Sequence, residues 1–314
     1  MKRIQIIIPC YNEQECIEKI YTEVEKVMEG VRDYSFSFFY IDDGSCDNTL
    51  DEIKKLVSCW GGDKVHYISF ARNFGKESAM YAGLENCQGD YIVLMDADLQ
   101  HPPTLLPQMI NKMEEGYDCV GARRVSREGE PPVRSFFSRV FYRLINKVTA
   151  MNLVPGGSDF RIMTKQMADA VISLTERERF IKGIMSWVGF NTTWVEYRNV
   201  ERYAGKSKWS FLGLVRYAWH GFVSFATTPL RAAIWLGVVL VSTSIIYGIL
   251  LYAQVLSGAR AWDNTTTILF LLMLIGGMII SLLGVMGEYM ARMYLEIKRR
   301  PIYVLKETNI KRKE

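Results

Sequence analysis

Residues 89–103 read GDYIVLMDADLQHPP. Five apolar residues, Tyr91 to Met95, run straight into Asp96-Ala97-Asp98-Leu99-Gln100. A run that short, β-branched and aromatic, points to a buried strand with an acidic end. Similar runs occupy 4–9, 36–41, 65–70 and 192–197. The first is followed by Pro9-Cys10-Tyr11-Asn12-Glu13 and the second by Asp42-Asp43-Gly44-Ser45. Between them, residues 13–29 have a helical period: Ile17, Ile20, Tyr21, Val24, Val27 and Met28 share one face, and Gly30 follows as a stop signal. Strands alternating with helices predict an α/β fold with a mostly parallel sheet and flanking helices. Such sheets bind ligands at the carboxyl ends of their strands, where these polar clusters lie.

Composition narrows the class. The chain has 314 residues, 49% hydrophobic and 12% aromatic, too apolar for a disordered chain. The net charge of +4 is matched by the segment from Glu288 onward, with eight Lys/Arg against four Glu. No broad basic surface for nucleic acid is implied; a basic tail is. The six cysteines all precede residue 120 and form no C-x-x-C pair, which fits reduced small hydrophobes on the cytosolic side rather than a zinc ribbon or disulfide framework. The apolar start ends at Pro9, too early for a signal peptide.

Beyond residue 230 the composition changes. Residues 232–256 and 267–287 carry no formal charge. At 1.5 Å per residue, each run exceeds the roughly 30 Å of a bilayer core, so two transmembrane helices are expected. Their connecting loop, 257–266, has Arg260 as its one positive residue, whereas Arg231 precedes the first run and Lys298, Arg299 and Arg300 follow the second. Positive charge stays inside, placing both termini and the first 230 residues in the cytosol. Trp209, Phe211, Trp219, Phe222 and Phe225, with Lys208, Arg216 and His220 among them, suggest interfacial helices over 207–231. The expected division is therefore 1–206 globular, 207–231 juxtamembrane, 232–291 spanning and 292–314 a basic cytosolic tail.

No G-x-x-x-x-G-K-[ST] or G-x-G-x-x-G motif occurs, which disfavours a P-loop NTPase or a dinucleotide-binding enzyme. Three scattered histidines make no zinc site. The remaining chemistry is oxygen donation: Asp96 and Asp98 can converge on Mg²⁺ or Mn²⁺, with Gln100 as a neutral donor. For Asp42-Asp43-Gly44-Ser45 the alternative is an Asx turn capping a helix that starts near Asp47.

In order, IIPCYNE (7–13), IDDGS (41–45), RNFGKESAMYAGLENCQGDYIVLMDADLQHPP (72–103), GARR (121–124), GSDFRIM (157–163), RFIKGIMSWVGF (179–190) and GKSKWS (205–210) resemble the inverting family 2 glycosyltransferases of GT-A fold. With the C-terminal stretch LLGVMGEYMARMYLEIKRRP (282–301), the resemblance extends to the polyisoprenyl-phosphate branch. Within it the chain looks most like bactoprenol glucosyltransferases and is similar to dolichyl-phosphate mannose synthases. Ser158 stands where those members often carry Gly.

The resemblance implies that Pro9, Tyr11, Glu13, Asp43 and Asp96 line a nucleotide-sugar pocket. Asp96, Asp98 and Gln100 would hold a divalent ion against the donor diphosphate. Asp159, with Asp98, would be catalytic, Asp159 orienting the acceptor or acting as a partial base; a salt bridge to Arg161 or Arg123 is the competing reading. Arg123, Arg134 and Ser138 would contact a lipid phosphate, Arg supplying paired donors. Arg127, Arg139 and Arg143 read as solvated or headgroup-facing. Arg198, Arg202, Lys206 and Lys208 fit either a loop closing over the substrates or an interfacial anchor, with Arg202 and Lys208 the preferred phosphate contacts.

The expected activity is transfer of a hexose, glucose first, from a UDP-sugar to undecaprenyl or another polyprenyl phosphate at the cytoplasmic membrane. N-acetylglucosamine, GDP-mannose and aminoarabinose donors are alternatives. A processive polysaccharide synthase would show Q-x-x-R-W and more spans, and a non-catalytic sensor has no need of a metal site. A homo-oligomer, a tetramer by resemblance, is also expected; Gly276, Gly277, Gly284 and Gly287 could pack helices closely.

Overall fold

The computed structural model describes residues 1–31, 33–125, 146, 153–177, 179–197 and 265–310, with single positions 239, 242, 243, 246, 249, 253, 256 and 257. The chain divides into two units, Met1–Gly221 with Pro301–Glu314, and Phe222–Arg300.

The first unit alternates as expected: β1 (Lys2–Cys10), α1 (Ile17–Met28), β2 (Tyr34–Asp42), α2 (Thr49–Trp60), β3 (Val65–Phe70), α3 (Lys76–Asn86) and β4 (Tyr91–Leu94). A single 3₁₀ turn, Pro103–Leu105, leads into α4 (Leu106–Glu114) and β5 (Cys119–Arg124). Then follow β6 (Gly157–Thr164), α5 (Lys165–Ser173), α6 (Ile181–Trp187) and β7 (Thr192–Tyr197). In the second unit α7 spans Thr265–Ile297, after which β8 (Leu305–Thr308) returns to the first.

The eight strands among the described residues form one sheet in the order β7-β5-β6-β4-β1-β2-β3-β8. The pairs β1–β2, β1–β4, β2–β3 and β5–β7 are parallel; β4–β6, β5–β6 and β3–β8 are antiparallel. This is a GT-A-like α/β fold with a mostly parallel sheet.

Central strand β1 shows why the sheet is covered on both faces. Ile4, Ile6 and Ile8 alternate into one core with Ile17, Ile20, Tyr21 and Val24 of α1, Ile53 of α2 and Met109 of α4. Ile7 points the other way, toward α3, where Gly83 lies so close that a Cβ would sit 2.4 Å from Ile7 Cγ2. Each buried isoleucine contributes about 1.5–3 kcal/mol, so reversing this register would cost the sheet both cores.

Helix α1 begins at Ile17, four residues after the start suggested by its period. Asn12 is left-handed (φ 52°), and the Cys16 amide closes a turn onto Glu13 O at 2.9 Å. The capping expectation holds in part. Asp47 Oδ1 accepts from the Thr49 amide at 3.0 Å at the start of α2. Ser45 instead accepts from the Asn12 amide at 2.9 Å, tying the loop after β1 to the loop after β2.

Helix α7 has 33 residues and includes the second charge-free run. Its described side chains Ile268, Leu272, Ile275, Ile279, Leu283 and Met286 are exposed. Among the described residues no helix is long and apolar enough to cross a membrane. The segment 207–231 and nearly all of 232–256 lie outside the described residues.

Gly44 (φ +67°) tests the junction of β2 with its loop, because a Cβ there would meet the Arg72 backbone carbon at 2.4 Å. We expect Gly44→Ala to cost about 2–4 kcal/mol, left-handed strain plus an unyielding backbone clash. Gly61 also has a positive φ (83°, with ψ 153°) but nothing within 4 Å of its Cβ position, so Gly61→Ala should carry backbone strain alone, about 1–3 kcal/mol. Equilibrium denaturation of the two variants checks this, and equal losses would refute the clash.

Candidate active site

One cavity of about 250 Å³ opens at the carboxyl ends of the central strands. Pro9, Cys10, Tyr11 and Glu13 from the end of β1 line it, with Asp43 after β2 and Asn73, Gly75, Lys76 and Ala79 after β3. Asp96, Ala97 and Asp98, after β4, complete the wall. The five donor-site residues expected from the sequence, Pro9, Tyr11, Glu13, Asp43 and Asp96, therefore face one space.

Asp43 does more than line it. Its Oδ1 accepts from the Phe74 amide at 2.7 Å, and its Oδ2 accepts from the Gly75 amide at 2.9 Å. The carboxylate thus holds the loop leading into α3 rather than capping α2, the helix to which the Asx-turn alternative referred. Burial pushes its pKa up to about 6 against the pull of those amides. Asp42, the other half of the pair, accepts from Ser69 Oγ at 2.7 Å and from the Ser45 amide at 3.0 Å.

A charge cluster at the cavity is built by strand register. Leu94 of β4 pairs with Arg161 of β6 in an antiparallel ladder. Continuing that register by two residues sets Asp96 opposite Asp159, a like-charge juxtaposition unfavourable by itself. Lys76, first residue of α3, resolves it. Its Nζ lies 2.6 Å from Asp96 Oδ1 and 2.7 Å from Asp159 Oδ2. Lys182 of α6 adds a second cation 3.6 Å from Asp159 Oδ1 and donates to Gly157 O at 3.1 Å.

The pKa shifts follow from this arrangement. Burial raises Asp96, but Lys76 and His101 outweigh it and bring it to about 2. Burial likewise opposes ionisation of Asp159, yet Lys182 and Lys76 hold it far below the usual carboxylate range. Burial lowers Lys76, and the two aspartates more than reverse that. Asp159 therefore pairs with two lysines, not in the Arg161 or Arg123 salt bridge weighed above. Arg161 donates to Ser158 O at 2.9 Å. His101 closes the far side: its Nδ1 is 2.7 Å from Tyr197 Oη and its Nε2 3.7 Å from Asp96 Oδ2.

Of the expected metal donors, Asp96 and Asp98 face the cavity and Gln100 is not in its wall. The Gln100 amide donates to Asp98 Oδ1 at 3.1 Å, made possible by the left-handed Leu99 (φ 57°). Among the described residues no three His, Cys, Asp or Glu side chains cluster as a metal cage. Two carboxylates on an open cavity still fit Mg²⁺ or Mn²⁺, which bind through one or two carboxylates plus substrate phosphates. Arg123, on β5, lies outside the cavity wall, 3.7 Å from Glu196. Arg134, Ser138, Arg202 and Lys208 lie outside the described residues.

The sequence reading passed over Lys76, Lys182 and His101. For Lys76 the signal was a Gly-Lys pair at the junction of the third apolar run with the next helix, since Gly75 (φ +98°) ends the loop and Lys76 begins α3.

The profile described as glycosyl transferase family 2 matches residues 5–172. The Bacillus subtilis protein CsbB, named as a glycosyltransferase, is 43% identical over 99% of this chain and 93% of its own length. The SfII prophage-derived bactoprenol glucosyl transferase of Shigella flexneri is 35% identical over 98% of both chains. Among solved structures, the glucosyl-3-phosphoglycerate synthase of Mycobacterium tuberculosis aligns at TM-score 0.46 and 16% identity, covering 69% of this chain and 75% of that one.

Removing Lys76 should leave two facing carboxylates without their shared cation. Lys76→Met is expected to lose about 1–3 kcal/mol at pH 7, less than a fully buried pair because the lysine is partly exposed. The pH dependence should change sign. In the wild type the depressed Asp96 and Asp159 contribute stability present above their unfolded pKa of about 3.9 and lost as pH falls toward 2. In Lys76→Met, Asp159 keeps Lys182, but Asp96 loses its lysine and is left against burial and a facing carboxylate; it should titrate upward, so stability should rise as pH falls from 7 to 5. Urea denaturation at both pH values decides it; parallel losses in the two proteins would refute the bridge.

Proposed function

The chain belongs to glycosyl transferase family 2, and we propose that it moves a hexose, glucose first, from a UDP-sugar to undecaprenyl or another polyprenyl phosphate with inversion. One observation carries this reading: Asp96 and Asp98 open into the same cavity as Tyr11, Glu13, Asp43 and Lys76. That arrangement suits a nucleoside diphosphate better than an uncharged ligand, because it offers carboxylates for a cation and a lysine for phosphate oxygens. The bactoprenol glucosyl transferases of Shigella flexneri and phage SfV, 35% and 36% identical over nearly the full length, support the sugar and the acceptor class.

In the proposed reaction a phosphate oxygen of the lipid attacks the anomeric carbon as the bond from that carbon to the UDP oxygen breaks. A single displacement turns an α-linked donor into a β-linked product. A divalent ion held by Asp96 and Asp98 would act as a Lewis acid on the departing diphosphate. Lys76, bonded to Asp96 and beside the cavity, adds fixed positive charge on the same side. The lipid phosphate is already largely ionised near neutral pH, so little deprotonation is needed. Asp159, held ionised by two lysines, is a weak proton acceptor and better suited to orient Lys76 and the acceptor than to act as an obligatory base. Arg123, Arg134, Ser138, Arg202 and Lys208 remain our candidates for the acceptor phosphate.

The lipid substrate calls for a membrane location, and the charge-free runs 232–256 and 267–287 supply it in this reading. Chain connectivity supports an even number of crossings. Residues up to Gly221 and from Pro301 belong to the first unit, so a membrane crossed within Phe222–Arg300 has to be crossed back. With the positive flanks, this favours a catalytic unit at the cytoplasmic face.

The test is to incubate purified protein with undecaprenyl phosphate, Mg²⁺ or Mn²⁺ and a panel of nucleotide sugars, then identify the lipid product by mass. UDP-glucose is expected to give a monohexosyl phospholipid, and EDTA to abolish it. Asp98→Ala should lose at least about 10²-fold in transfer, the scale of one transition-state electrostatic contact, while keeping its circular dichroism. Full activity of Asp98→Ala would overturn the proposal.

A further inference from the structure

The C-terminal segment 303–309 bears on the donor cavity from outside it. Strand β8 pairs antiparallel with β3, Ile68 opposite Thr308 and Phe70 opposite Leu305. At the end nearer the cavity, Tyr303 stacks on Phe70 with ring centroids 4.8 Å apart at 22°. Its hydroxyl donates to Glu85 Oε2 of α3 at 2.7 Å, and the Ala71 amide donates to Val304 O at 2.9 Å. At the other end, Asn309 brackets β3, accepting from the Tyr67 amide at 2.8 Å and donating to Val65 O at 2.9 Å.

What this segment touches decides its role. Phe70 also meets Phe74 edge-on at 5.8 Å. The loop between β3 and α3, 71–75, starts at the Ala71 amide held by Val304 and ends at the Phe74 and Gly75 amides held by Asp43. Asn73 and Gly75 line the cavity, and Lys76 follows at once. The loop is thus fixed from two sides, by Asp43 within the cavity and by the tail outside it.

We propose that Tyr303 and Val304 form a strap that positions the loop 71–75, making Tyr303 a positioning residue for binding of the donor's nucleoside diphosphate. A strand held only to complete the sheet would need its ladder and the Asn309 bracket. It would not need an aromatic stack continued through Phe70 to Phe74, nor a hydroxyl reaching α3. The inference rests on the proposed nucleotide-sugar reading of the cavity.

The test uses full-length protein in detergent with Mg²⁺, measuring UDP binding by titration calorimetry alongside the donor KM, kcat and thermal midpoint. Tyr303→Ala is expected to weaken UDP binding and raise the donor KM about tenfold, equivalent to about 1.4 kcal/mol, with kcat changed by less than about twofold. Tyr303→Phe keeps the stack and should restore affinity to within about twofold of wild type, the smaller part of the effect being the lost hydroxyl bond. Asn309→Ala should lower the thermal midpoint and leave UDP binding unchanged. If Tyr303→Ala does not fold, Tyr303→Leu carries the same expectation at about threefold, since it covers Phe70 without the ring.

Wild-type affinity in folded Tyr303→Ala or Tyr303→Leu overturns the strap alone. So does an equal loss in Asn309→Ala, which would mark a general effect of stability. Failure of the wild-type protein to bind UDP, GDP or CDP overturns the cavity reading and the strap with it.

Discussion

Two aspartates face each other at the end of the β4–β6 ladder, and Lys76 lies between them. Everything distinctive about the cavity follows from that enforced proximity. The antiparallel register brings Asp96 opposite Asp159, and α3 delivers the cation because it starts at Lys76, directly after a left-handed glycine. Two carboxylates within reach of one ammonium would repel strongly were the ammonium absent. With it present, both carboxyls are held below the usual carboxylate range, so both are ionised near neutral pH. The site therefore brings carboxylates and an ammonium to the wall of one cavity.

This arrangement separates the roles of the three aspartates. Asp98 has one oxygen engaged by the Gln100 amide and faces the cavity beyond the Lys76 bridge. Asp96 shares its charge with Lys76 and approaches His101. Asp159 is the most enclosed by cations, between Lys76 and Lys182. In the proposed reading Asp98, whose carboxylate faces the cavity, is a ligand for a hard cation, and Asp159, between Lys76 and Lys182, anchors the lysines.

How much of this the sequence disclosed depends on the range of each interaction. The acidic end of β4 was legible because strand and carboxylates are contiguous, and so was the buried face of α1, which rests on a local period. Strand β6 escaped because Phe160 and Ile162 alternate with Asp159 and Arg161 in a segment too short and charged to stand out as an apolar run. Strand β8, Leu-Lys-Glu-Thr, has almost no hydrophobic signal. It is an edge strand held by side chains such as Lys54 on Glu307 and Asn309 on Tyr67, partners more than 200 residues away. Lys76 was hidden for the same reason, its Asp159 partner being 83 residues distant.

Asp43 shows why a correctly chosen residue can still be given an incomplete role. An acidic residue beside a cavity suggests a direct hydrogen bond to a ligand. Here both carboxylate oxygens are already engaged by amides of the loop 71–75, and that loop supplies Asn73, Gly75 and then Lys76 to the wall. An aspartate that accepts two amides and becomes harder to ionise on burial acts first on the backbone it holds. Its influence on a ligand then passes through the loop, and the same loop is where β3, the tail and α3 converge. A displacement of that short segment would move the cation of the Asp96–Asp159 bridge and the rim of the cavity together, so donor binding and the state of the acidic cluster are coupled by covalent continuity alone.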